Sequence, residues 1–124
     1  MRILADTHAL VWLVLDDARL PPSVHQAIGD PANDFFFSVA SVWEAEIKRA
    51  RQKLDLPPDI WEMLEDRGFE PLSINRGHCR IAAALPDHHR DPFDRMLVAQ
   101  AREEGLTLMS ADRMLENYQV PLIW

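Results

Sequence analysis

Short apolar blocks alternate along this chain with longer segments whose apolar residues recur at helical spacing. Residues 2–5 read as a buried strand of four residues. Residues 8–15 are almost wholly apolar and read as a helix, ended by Asp16 and Asp17. Pro21 and Pro22 suit the first turn of a short helix that stops near Gly29. A turn cluster at 30–34 leads into a second buried strand over 35–39. Ser41 to about Lys53 is then a helix, opened by Ser41-Val42-Trp43-Glu44 in the pattern of a capping box. Pro57 and Pro58 open another helix, ending near Gly68. Residues 69–74 form a strand broken by Pro71, and 75–85 a helix stopped by Pro86. After the polar loop 87–90, Asp91 caps a helix that has Pro92 at its first position and stops at Gly105. A strand over 106–109, a short helix over 110–116 and a last strand over 120–124 complete the chain.

Strands alternating with helices predict a mainly parallel sheet with right-handed crossovers. Helices on both faces explain strands that are apolar throughout rather than alternating. The expected fold class is therefore α/β: about five strands between two helical layers, in a single domain over residues 1–124.

Four acids stand out against this pattern. Asp6, Glu44 and Asp112 each follow a predicted strand where a helix begins, and Asp94 lies in the first turn of the helix capped by Asp91. Each has an ordinary architectural explanation, because acids cap helices and favour their N-termini. Together they have another. The carboxyl ends of parallel strands share one edge of the sheet, where ligands bind. Carboxylates about 6 Å apart repel by roughly 3 kcal/mol at an effective dielectric of 20. Such a cluster calls for a hard cation, and Mg²⁺ or Mn²⁺ accepts an all-oxygen set.

The chain has 13 basic and 20 acidic residues, a net charge of −7, so nucleic-acid binding requires local clustering of cations or a metal. Lys48, Arg49, Arg51 and Lys53 do cluster, and Arg90 and Arg95 flank the acids at 91 and 94. Cys79 is the single cysteine, which rules out an internal disulfide and fits a reducing compartment. No apolar stretch has the length of a membrane span, and a charge comes too early for a signal peptide, so a cytoplasmic location is expected. Zinc spacings, a phosphate-binding glycine loop and a nucleophile elbow are all missing. His8, His88 and His89 receive no role at this level.

Asp6-Thr7-His8-Ala9-Leu10, Ser41-Val42-Trp43-Glu44, the run from His88 to Ala101 through Asp91-Pro92-Phe93-Asp94-Arg95, and Ser110-Ala111-Asp112 resemble PIN-domain proteins, most nearly toxin ribonucleases of the VapC type. The resemblance covers residues 2–124 and is most specific over 91–101. It implies a three-layer α/β/α domain and metal-binding, catalytic acids at Asp6, Glu44, Asp94 and Asp112. It also implies an endoribonuclease dependent on Mg²⁺ or Mn²⁺, an RNA substrate, a homodimer and a cognate antitoxin. Thr7 and Ser110 are expected to orient waters, Asp91 to support the helix, and Arg90 and Arg95 to contact phosphate, with pairing of Arg95 to Asp91 as the alternative. Many relatives carry Gly where Gln52 precedes Lys53, so a longer helix there is expected. The rival readings are a catalytically silent binding module held by a partner protein and a DNA-directed nuclease of the same fold; the apolar helix 8–15 reads first as core, with part of a partner groove as the alternative.

Overall fold

A computed structural model describes all residues, 1–124. Five strands form one sheet: β1 (Arg2–Ala5), β2 (Asp34–Ser38), β3 (Phe69–Leu72), β4 (Thr107–Met109) and β5 (Leu122–Ile123). Their order is β3-β2-β1-β4-β5 and every pairing is parallel. The helices are α1 (Thr7–Val14), α2 (Pro22–Gly29), α3 (Val39–Ala50), α4 (Ile60–Asp66), α5 (Arg76–Ala84) and α6 (Pro92–Glu104), with a 3-10 helix over Arg113–Tyr118. None is long and apolar enough to cross a membrane.

The period of two along each strand sends neighbouring side chains to opposite faces. Ile3, Ala5, Phe35, Phe37 and Met109 pack beneath residues of α1 to α4, among them Leu10, Val24, Ala45 and Leu64. Leu4 and Leu108 face the other way, against Leu97, Val98 and Ala101 of α6 and Leu115 and Tyr118 beyond β4. Ile3, Leu4, Leu10, Leu64 and Leu108 are fully buried, and each contributes about 1.5–3 kcal/mol of apolar transfer. These two cores make the three layers expected of the α/β class.

Several boundaries move from their expected places, for local reasons. α3 starts at Val39 because Ser38, not Ser41, caps it, accepting the Ala40 N–H at 3.0 Å. The 41–44 capping box does not form; Ser41 and Glu44 lie inside the helix. α3 ends at Ala50 instead of running to Lys53. Gln52 takes the left-handed conformation at φ 56 that a Gly would enter without strain. The helix expected from Pro57 begins only at Ile60. The helix expected at 110–116 is the 3-10 turn, opened by Asp112. Pro71 survives within β3 because β3 is an edge strand.

The strand order places the site. From β1 the chain builds outward through β2 to β3, then crosses back to lay β4 on the opposite side of β1. The direction of winding reverses between β1 and β4, which opens a crevice beyond their carboxyl ends. Asp6 follows β1 there, and its N–H extends the ladder to the Met109 carbonyl at 3.0 Å.

Candidate functional site

Asp6 has extended backbone geometry, and its carboxylate caps α1 by accepting the Ala9 N–H at 2.8 Å. It is almost fully buried, 5% exposed. Burial pushes its carboxyl above the ordinary range, and repulsion from Glu44 adds to this. The Ser110 hydroxyl, the Ala9 N–H and His8 oppose the rise. Glu44 is also buried, one turn into α3. Its Oε1 accepts from the Thr7 hydroxyl at 2.6 Å, and its Oε2 from Lys48 Nζ at 3.0 Å. A carboxylate can only accept, so the Thr7 proton points at Glu44 and the neighbouring Ser41 hydroxyl, 2.9 Å from Thr7 Oγ1, donates in turn to Thr7.

Asp91 caps α6 by accepting the Phe93 N–H at 2.8 Å and the Asp94 N–H at 3.3 Å. Asp94 then projects from the first turn. Its carboxyl is pushed up to about 7, first by desolvation and next by repulsion from Asp91, with Asp6 and Glu44 adding smaller amounts and His89 opposing them. Asp112 caps the 3-10 helix through the Met114 N–H at 3.0 Å, while its own N–H donates to Ser110 Oγ at 3.0 Å.

His89 links these acids across the crevice. Its Nε2 lies 2.9 Å from Asp112 Oδ2 and 3.2 Å from Asp94 Oδ2. Its Nδ1 accepts the Asp91 N–H at 3.1 Å, so the neutral ring carries its proton on Nε2, facing the two carboxylates. Ligand atoms of His89, Asp94 and Asp112 all lie within 4.8 Å of one another. Asp6 and Glu44 stand outside this tightest group but close enough for their charges to act on Asp94. His89 is the site residue that sequence reasoning left without a role. Its one signal was its place two residues before Asp91, because the contacts it makes depend on a chain reversal.

Arg95 does something other than the phosphate contact or the Asp91 pairing expected of it. Its guanidinium donates to the carbonyls of Ala82, Leu85, Pro86 and His89 at 2.9, 2.8, 3.0 and 3.2 Å. Tyr118 joins this clamp, accepting the His89 N–H at 2.8 Å and donating to the Pro86 carbonyl at 2.8 Å. Together they fix the loop that presents His89. Arg90, by contrast, is exposed on that loop.

The donor set suits a hard cation. All four acids offer oxygen, and each acid oxygen with a close partner is met by a proton donor, such as Lys48 or His89. The Asp6 and Asp94 carboxyls are raised, first by burial and then by their acidic neighbours, and a cation placed among them would favour the ionised form.

The family model described as "PIN domain" matches residues 3–121. The chain belongs to the PIN domain family. Among relatives of this PIN-domain chain is Ribonuclease VapC22 of Mycobacterium tuberculosis, 29% identical across 96% of this chain and 93% of its own length. Solved structures share the fold. One is VapBC2 from Rickettsia felis, bound to a DNA fragment from its promoter, with a TM-score of 0.74 and 13% identity over 99% of this chain and 98% of that one. FitAcB from Neisseria gonorrhoeae has a TM-score of 0.62 and 16% identity over 98% and 96% of the two chains. A toxin–antitoxin complex from Klebsiella pneumoniae has a TM-score of 0.61 and 18% identity over 89% and 86%.

Proposed function

We propose that this PIN-domain protein is an endoribonuclease dependent on Mg²⁺ or Mn²⁺ and the toxin of a toxin–antitoxin pair. The observation that supports the reading is that Asp94 lies close enough to feel the charges of Asp6 and Glu44 and shares a ligand-sized cluster with Asp112 and His89, with the Asp6 and Asp94 carboxyls raised. The similarity to a ribonuclease across nearly the whole chain supports RNA as the substrate. The solved relatives that are toxin–antitoxin complexes support an antitoxin partner.

In this reading Asp6, Glu44 and Asp94 hold the main ion and Asp112 completes the set. When bound, a divalent ion supplies a Lewis acid and an acidified water for attack on a phosphodiester. The protein's part is placement. Thr7 fixes the rotamer of Glu44, Asp91 anchors the turn that carries Asp94, and Ser110 steadies Asp6 and Asp112. Exposed Arg90 is free to meet the RNA backbone.

An antitoxin would dock beside the site in a groove of about 330 Å³ whose lining includes His8, Val11, Trp12, Leu15 and Leu54. Trp12 is only half-buried, against Trp124, and Leu15 is 46% exposed, so α1 has apolar surface to spare. A homodimer is the expected assembly.

The test is cleavage of defined RNAs, with matched DNAs alongside, in Mg²⁺, Mn²⁺ or EDTA. RNA cleavage that needs the metal and disappears in Asp6→Asn is expected; asparagine still caps α1, so the fold is kept. Cleavage by Asp6→Asn at the native rate sinks the mechanism. Metal binding without any cleavage points to the silent module, and DNA cleavage alone to the DNA-directed nuclease.

A further inference from the structure

A cleft of about 320 Å³ lies between the second half of α3 and the start of α6, and Glu44 forms part of its wall. Ile47, Lys48, Arg51 and Lys53 line one side, and Asp91, Pro92 and Phe93 the other, with Asp91 turned to the N–H groups of Phe93 and Asp94 that it caps. In a chain of net charge −7, three of the 13 basic residues meet here. The turn at the end of α3 brings them together. With Gln52 left-handed, its N–H donates to the Arg49 carbonyl at 3.0 Å and the Lys53 N–H to the Lys48 carbonyl at 2.9 Å. This paired closure folds Lys53 back to the level of Lys48. Lys48 is engaged by Glu44 at 3.0 Å, whereas Arg51 and Lys53 are exposed and enter no ion pair.

The opposite wall has a fixed aromatic. Phe93 is half-buried, and Trp43 braces its ring edge-on with centroids 5.4 Å apart at 72°. Trp43 itself is 64% exposed. Trp43 immediately precedes Glu44, and Phe93 immediately precedes Asp94. The aromatic wall is therefore tied by the backbone to two of the site acids.

Cations facing an aromatic ring are what single-stranded nucleic acid requires: phosphates follow the charges and an unstacked base covers the ring. A duplex offers no free base face. An acidic peptide would satisfy the cations and leave Phe93 unused. We propose that this cleft binds one nucleotide of single-stranded RNA next to the cut phosphate, with its backbone on Arg51 and Lys53 and its base on Phe93. The proposal rests on the ribonuclease reading and adds to it the residues that hold the nucleotide beside the cut.

The experiment uses the full-length Asp6→Asn protein, which keeps the cleft and does not cut. Binding of a fluorescein-labelled RNA hexamer, its duplex form and the matching single-stranded DNA is followed by anisotropy between 50 and 200 mM salt. Expected is tighter binding of the single-stranded RNA than of the duplex. Arg51→Ala with Lys53→Ala lowers the salt slope by about 0.7, the value for the one phosphate that the two cations share on a single strand. Phe93→Leu, which keeps the packing but loses the flat face, weakens binding about tenfold with the salt slope unchanged. Unchanged affinity and slope in these variants, while the native protein with Asp6 intact cleaves RNA, overturns the cleft assignment and leaves the ribonuclease reading standing. A dimer that dissociates in Phe93→Leu while affinity per site holds also overturns it, since the wall then belongs to a second copy. Failure of the parent to bind RNA, together with cleavage of DNA alone, overturns both readings.

Discussion

Replacing Asp94 by asparagine separates what the acidic corner costs from what it does. The Asp94 carboxyl titrates near 7 in the folded protein against an ordinary value of 3.8, chiefly because burial strips it of water. An acid whose folded pKa lies above its unfolded one binds its proton more tightly when folded. Its contribution to stability is therefore full below about pH 4 and is lost as pH rises from 4 to 7. At about 1.4 kcal/mol per pH unit, the gap from 3.8 to about 7 sets a ceiling near 4 kcal/mol. Asp94 keeps 24% of its side-chain surface in water, and solvent screening brings the figure to about 2 kcal/mol. Asparagine removes the titration and keeps an oxygen to accept from His89 Nε2–H. In EDTA at pH 8, Asp94→Asn is expected to be more stable than the native protein by about 2 kcal/mol, with the difference near zero at pH 4. Urea unfolding, read by the four tryptophans, measures both. Added Mn²⁺ should then reverse the order at pH 8, because only the native carboxylate binds it and gains by mass action. A variant less stable at pH 8, or an offset that does not change between pH 4 and 8, refutes the argument that burying the Asp94 carboxylate among its acidic neighbours costs stability.

Three further outcomes follow from particular contacts. Gln52→Gly relieves the φ of 56 and should raise stability by about 0.5–1 kcal/mol, seen as a higher melting temperature; a lower one means that the Gln52 side chain makes up for the strain. Arg95→Met takes the side-chain donor from the Ala82 and Leu85 carbonyls and leaves Pro86 and His89 to Tyr118 alone; it should cost about 3–5 kcal/mol, with faster amide exchange over residues 86–91, and a loss below about 1 kcal/mol contradicts the clamp. Thr7→Val keeps the volume but takes the proton from Glu44; it should cost about 1–3 kcal/mol and weaken Mn²⁺ binding about tenfold by calorimetry, and native affinity in that variant removes Thr7 from the site.

Local chemistry sufficed for much of this molecule. Four-residue apolar runs, the Pro22 and Pro92 starts and the Gly105 stop describe the backbone at each point, so the strands, most helices and the three-layer class could be read in order. Asp6 and Asp112 could also be read as caps, because a residue that follows a strand and caps a helix announces itself in sequence; Glu44 lies inside α3 and Asp94 behind the Asp91 cap. Boundaries failed where two local signals competed. Ser38 and Ser41 were both able to cap α3, and the strand ending at Ser38 decided between them.

The sequence by itself determined most element types and the strand-end positions of Asp6 and Asp112, since propensity, capping and the period of burial act over a few residues; Glu44, expected at a helix start, lies inside α3. The tertiary structure alone decided which donors those carboxylates meet. Thr7 reaches Glu44 across 37 positions, and His89 reaches Asp112 across 23. The first meeting depends on β2 lying beside β1, and the second on Arg95 holding the loop before α6. The physical reason is range. A cap or a turn is settled by neighbours, but the charge of a buried carboxylate answers to everything within several ångströms, and only the packed sheet brings those groups there.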